Sequence, residues 1–173
     1  MLQLTKAQQQ FLNETKMRGI CAAHSADMEA LLFRIILYAS IDDTEAADRD
    51  YTKMTLNDKI ILARRDLKRN YPQTFTKHQK HFTALNKFNT FRGRLIHCDM
   101  VWNDKKSNEF KILDVKKIRD EWRIITIKYT MPEVIKKCVD FGKLILEFAE
   151  SAKDIIAVVA QKYPKINKTS KSK

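Results

Sequence analysis

The sequence predicts an all-α fold: a helical bundle of about four main helices with a small β-hairpin inserted before the last helix. Three observations lead there. Glycine and proline number only three each in 173 residues, while Ala, Leu, Ile, Lys, Glu and Asp abound, a composition suited to helix interiors. Apolar side chains recur at helical spacing over long stretches. Between residues 110 and 129 that rhythm gives way to partial alternation of apolar and polar positions, the period of a strand.

Each element has its own justification. In residues 5–38, Phe11, Met17, Ile20, Cys21, His24, Met28, Leu31, Leu32, Ile35 and Ile36 follow the 3.6-residue period of one long amphipathic helix. Gly19 inside it costs about 1 kcal/mol relative to alanine, which suggests a bend or a close helix contact. His24 lies on or beside the apolar stripe, as a hydrogen-bonded core histidine would. Residues 41–52 are acidic and aperiodic, with Asp42, Asp43, Glu45, Asp48 and Asp50, and read as a surface loop or short helix. Thr55 and Asp58 are spaced as a capping pair for a second helix over residues 55–69, ended by Asn70, Tyr71 and Pro72.

A third helix over residues 74–100 carries Phe75, Phe82, Leu85, Phe88, Leu95 and Ile96. Residues 102–109 are polar and read as a loop. Two strands follow, 110–115 and 122–129, joined by a charged turn over 116–120. Thr130, Pro132 and Glu133 form a strong helix start for a final helix over 131–163. The domain therefore covers residues 1–163, and 164–173 form a basic disordered tail able to touch phosphate non-specifically.

The formal net charge is +12, from 33 Lys and Arg against 21 Asp and Glu. Polyanions are the natural partners of such a chain, although a plain lysine-rich solvated surface has the same composition. Cys21, Cys98 and Cys138 are odd in number and widely spaced, as expected of reduced thiols in a cytoplasmic protein. No stretch reaches the ~20 apolar residues of a membrane span. The sequence has no Gly-rich phosphate loop, paired carboxylates, Cys-His protease pattern or metal-ligand cluster. His78 and His81 are three apart without a further ligand nearby, so no metal and no cofactor is indicated.

What remains is the stretch around Arg92 and His97. With Phe82 set at zero and about 100° per residue, Phe88, Leu95, Leu85 and Ile96 fall at about 240°, 220°, 300° and 320°, and Arg92 at about 280°, in the middle of the apolar arc. A guanidinium cannot shed its charge there, so it must face a carboxylate, a second subunit or a phosphate. His97 falls at about 60°, nearer solvent. Histidine exchanges protons near neutral pH, and an arginine can hold the charge that grows on a phosphorane. Together the two suffice for cleavage of RNA by its own 2′-hydroxyl. Five residues apart on one helix, however, they point about 140° apart. Either the helix bends or ends near Gly93, or a two-fold dimer brings both motifs into one cleft.

The order of elements, with Arg92-x4-His97 late in an internal helix, a β-prone insertion and a long final helix with a Thr-x-x-Glu cap, resembles the HEPN superfamily (higher eukaryotes and prokaryotes nucleotide-binding domain) over residues 5–163. The sequence core of the resemblance is 85–102. The resemblance implies a homodimeric, metal-independent endoribonuclease of toxin or phage-defence type, with Arg92 and His97 as the catalytic pair and a cognate antitoxin or inhibitor protein as a further partner. Arg94 and Lys87, on the other side of the helix, read as solvated side chains that could also line the RNA path. Two positions depart from the family pattern. Gly93 follows the arginine where Asn, Asp or His is common, and Asp99 stands where the nucleotidylated subgroup has Tyr. Two other expectations stay open: a catalytically silent module of the same type that binds RNA, nucleotide or protein, and a helical adaptor in which Arg92 pairs with an acidic residue of the first or last helix while His97 merely suits a helix end.

Overall fold

The computed structural model describes residues 4–39, 50–103 and 108–162. In chain order these form α1 (Lys6–Ala39), a short 3-10 turn (Tyr51–Lys53), α2 (Leu56–Asn70), α3 (Pro72–His97), β1 (Asp99–Trp102), β2 (Glu109–Ile118), β3 (Glu121–Thr130) and α4 (Met131–Lys162). The fold is thus mainly α. It departs from the all-α expectation in its β portion, a three-stranded antiparallel sheet of order β1-β2-β3 instead of a hairpin. No helix among the described residues is long and apolar enough to cross a membrane. Most of the acidic segment after α1 and the whole lysine-rich tail lie outside the described residues.

Helix boundaries follow local chemistry. Thr55 and Asp58 form a full capping box: the Asp58 amide donates to Thr55 Oγ1 at 3.2 Å and the Thr55 amide to Asp58 Oδ2 at 3.0 Å. The Thr55 hydroxyl, donating to the same oxygen at 2.6 Å, and then the Thr55 amide hold the Asp58 carboxyl below its ordinary pKa. The Thr130 amide likewise donates to Glu133 Oε2 at 2.7 Å at the head of α4. Tyr71 joins α2 to α3, its amide bonded to the Leu67 carbonyl and its carbonyl to the Phe75 amide. Pro72 opens α3, where its missing amide is no loss. Gly19 and Gly93 sit inside unbroken helices, and a Cβ at either would meet nothing within 4 Å. The close approach expected at Gly19 is therefore absent, and α3 does not end at Gly93.

The sheet begins where the third helix was expected to continue. Asp99 leaves α3 directly into β1, which pairs with β2 through Met100↔Ile112 and Trp102↔Phe110. Pairing of β2 with β3 runs from Glu109↔Thr130 to Ile118↔Glu121, so the turn is only Arg119 and Asp120, not the five-residue segment expected. Both adopt positive φ, 48° and 67°, as a two-residue hairpin turn matching the strand twist requires.

By contacts the chain divides into two compact units, Met1–His24 with Thr90–Gly142 and Ser25–Asn89 with Lys143–Lys173. The first holds the sheet and a core of Met17, Cys21, Phe91, Leu95, Phe110, Ile112, Val134 and Cys138. The second draws on all four helices. Phe82 meets Phe148 edge-on at 5.6 Å, with Leu32, Ile36, Ile60, Leu67 and Ile155 fully buried.

His78 and His81 belong to this second unit. His81 Nδ1 lies 2.9 Å from Ser151 Oγ, which donates to the Glu147 carbonyl at 3.0 Å; the serine proton is thereby used, so the imidazole is the donor to Ser151. Burial, then the charge of Lys77, lowers the pKa of His78 against the pull of Asp154. Burial also lowers that of His81, helped by Lys80 and opposed by Glu147.

Two outcomes are expected from these features. Arg119→Asn with Asp120→Gly should raise stability by about 1 kcal/mol in urea unfolding, because a left-handed conformation is costly for most L-residues and easy for Asn and Gly. Both histidines have folded pKa values below the unfolded one of about 6.5, so the unfolded chain binds more protons as pH falls through that value. Stability should accordingly be full above pH 6.5 and lower at pH 5.5 than at pH 7.5, with a smaller difference in His78→Asn.

Candidate functional site

The last two turns of α3 lie in the first unit and are buried on more than one side. Phe91 stands against Phe141 at 5.5 Å and Tyr129 at 6.1 Å between ring centres, and Leu95 is fully buried. Arg92, next to Phe91, is half-buried. Its Nε is shielded from solvent and has no hydrogen-bond partner. No carboxylate among the described residues pairs with it, in contrast to the expectation of an ion pair with α1 or α4.

The neighbouring arginines are all engaged. Arg18 on α1 pairs with Glu14 at 2.7 Å, and its guanidinium donates to the Ile96 carbonyl at 2.6 Å and the Cys98 carbonyl at 3.3 Å. These are carbonyls that the end of a helix leaves without intrahelical donors. Arg94 Nε lies 3.1 Å from Asp114 Oδ2, and Lys116 Nζ reaches the same oxygen at 3.3 Å. Asp114 is buried on the inner face of β2, and Cys98 Sγ is 3.9 Å from its other oxygen. Burial and this carboxylate push the Cys98 thiol above its ordinary pKa.

His97 is the final residue of α3 and is exposed. Because the helix is continuous from Arg92 to His97, the two side chains remain about 140° apart around its axis. Arg94, expected along an RNA path, is instead half-buried against Asp114. Lys87 is exposed and belongs to the other compact unit.

The unit that contains Arg92 also holds two buried thiols, one of which feels the charge of Arg92. Cys21 Sγ and Cys138 Sγ are 4.0 Å apart, both free and buried. The hydrogen bond between them and the burial push Cys21 well above the ordinary thiol range, while the positive charge of Arg92 pulls the other way. His24 is half-buried beside Gly142, where a Cβ would stand 3.4 Å from its Nε2; it makes no hydrogen bond among the described residues, contrary to expectation. No group of three or more His, Cys, Asp or Glu among the described residues is placed to hold a metal ion.

Sequence reasoning missed Arg18 and Asp114. Arg18 bonds residues 78 and 80 positions away and Asp114 pairs with an arginine 20 positions back, so no local pattern signals either.

Comparison with protein-family models, curated proteins and solved structures gave no match.

Asp114→Asn should cost about 2 kcal/mol in urea unfolding, because two partly buried cations lose their shared counter-charge. The double change Arg94→Met with Asp114→Leu should recover part of that loss.

Proposed function

We propose that the chain is a metal-independent endoribonuclease of toxin or phage-defence type, acting as a homodimer with Arg92 and His97 as the catalytic pair. The observation that carries this is the unpaired guanidinium of Arg92. A half-buried permanent cation, with one nitrogen shut off from water and unbonded, is unfavourable in the free protein and becomes favourable when an anion arrives. A phosphodiester supplies the anion, and the +12 charge of the chain favours its approach.

In the proposed reaction an imidazole takes the proton from the 2′-hydroxyl, whose oxygen attacks the adjacent phosphorus. The bond to the 5′-oxygen breaks, that oxygen gains a proton, and a 2′,3′-cyclic phosphate remains on the upstream fragment. Arg92 holds the charge that accumulates on the non-bridging oxygens between these events. Since one helix cannot aim both side chains at the same phosphate, the pair is completed across a two-fold axis, with His97 of one copy serving beside Arg92 of the other. Arg94 and Arg18 act indirectly: both fix the helix end that presents His97. Lys87 would add a phosphate contact. A toxin of this kind would need a cognate antitoxin or inhibitor protein.

The alternative is a catalytically silent module that binds RNA, nucleotide or a partner protein, favoured by Gly93 in the motif and by the opposed directions of Arg92 and His97. Purified protein incubated with RNA in EDTA separates the two. Cleavage leaving 2′,3′-cyclic phosphate ends is expected, reduced at least about 100-fold by His97→Ala or Arg92→Ala. RNA retention with no cleavage in the wild type would leave the silent module.

A further inference from the structure

Side chains alternate along a strand, so the sheet of the first unit has two different faces. Phe110, Ile112 and Asp114 of β2 turn to the core. The intervening residues turn outward and meet their β3 partners in register: Lys111↔Lys128, Val115↔Ile124 and Lys117↔Trp122. On this outer face Trp122 is 72% exposed, Ile124 67% and Val115 57%. An indole and two β-branched side chains so open to water, adjacent to one another, form an apolar lane with no covering element among the described residues.

Lysines frame that lane at both ends. Lys111 and Lys128 lie directly opposite each other, a like-charge pairing that destabilises a sheet unless a counter-ion intervenes. They border a depression of about 630 Å³. Its two carboxylates are already engaged, Glu109 by the Asn103 side chain at 3.3 Å and Glu133 by the Thr130 amide. At the far end Lys117 contacts Asp120 at 2.9 Å in a fully exposed pair, which holds it only weakly. From Trp122 to Lys128 the strand advances about 20 Å at ~3.3 Å per residue.

We propose that this outer face binds single-stranded RNA, with the Trp122 indole stacking on a base and Lys111, Lys117 and Lys128 contacting phosphates. The chemistry selects a single strand over its competitors. An open aromatic face needs a base that is not stacked inside a duplex. A protein docking on the apolar lane would have to bring a carboxylate to each of three separated lysines or strip their water unpaired, whereas a phosphate backbone supplies an anion at every nucleotide. The choice of RNA over DNA rests on the nuclease proposal; the stacking and charge complementarity do not. The lane contains neither Arg92 nor His97 and would hold substrate independently of cleavage.

The test uses the full chain carrying His97→Ala, so that substrate survives, and a 5′-labelled oligo-uridine followed by fluorescence anisotropy, with indole quenching as a second readout. Trp122→Ala should weaken binding by about tenfold or more, and Trp122→Phe should retain most of it, since stacking on a base is worth a comparable factor. Lys111→Gln with Lys128→Gln should lower the slope of log affinity against log salt by about 0.7 per charge removed. An unchanged melting curve for Trp122→Ala, a surface variant, shows that folding is intact. The proposal is overturned if the parent binds no single-stranded RNA, if these variants bind as tightly with the same salt slope, or if Trp122→Ala abolishes self-association and leaves RNA affinity untouched. Absence of cleavage by the wild type with this binding intact would sink the nuclease reading alone.

Discussion

The end of α3 depends on one side chain of α1. Arg18 donates to the carbonyls of Ile96 and Cys98, two acceptors that face away from any intrahelical donor once the helix stops. By satisfying them it permits the chain to leave the helix at His97 and enter β1 at Asp99 without burying orphaned polar groups. Glu14 in turn anchors the guanidinium. Without that bridge the carbonyls of Ile96 and Cys98 would lose their donor, and both the exposure of His97 and the start of the sheet would become poorly defined.

Charge pairing in this unit is selective. Asp114, buried under the sheet, takes Arg94 and Lys116 together, and Glu14 takes Arg18. Arg92 lies between these clamps in sequence and on the same helix as Arg94, yet its Nε is left without a partner. Its charge is felt by the buried thiol of Cys21, which is neutral and offers no counter-charge. Binding energy for an anion is greatest where desolvation has already been spent in folding; the Nε of Arg18 is likewise buried without a partner, but its terminal nitrogens are taken by Glu14 and two carbonyls, whereas Arg92 has no such clamp among the described residues.

The sequence made legible whatever is decided within a turn or two of chain. Both capping boxes and the break at Pro72 follow from spacing alone, because the groups involved lie within three or four residues of each other, and the half-burial of Arg92 follows from its place on the helical apolar arc. Helical projection failed for Phe91, which falls at about 180° and outside the apolar arc, because α3 is covered on that side as well by Tyr129 and Phe141. β1 escaped notice because four residues are too few to display a period and its register partners in β2 lie eight to fourteen positions downstream. The turn at Arg119 and Asp120 was obscured for a different reason: arginine is not a usual occupant of positive φ and no glycine follows, so only strand pairing reveals that the chain reverses there. The clamps at Arg18 and Asp114 are long-range and have no sequence signature at all.

Continuity of α3 decides how the proposed chemistry would have to work. A break at Gly93 would have let one chain swing its imidazole towards its own guanidinium, and the helix runs through that glycine unbroken. The two groups are then held on different sides of a rigid rod, half-buried on one and exposed on the other. Bringing both to one phosphorus requires either a long detour of the RNA around the helix or a second copy facing the first. The detour would place the attacking oxygen and the growing charge on opposite sides of α3, which no single phosphate spans. In the proposed dimer a two-fold partner would supply the missing group twice over and make two equivalent sites. On that footing the spacing of Arg92 and His97, an obstacle within one molecule, becomes the geometric reason for pairing two.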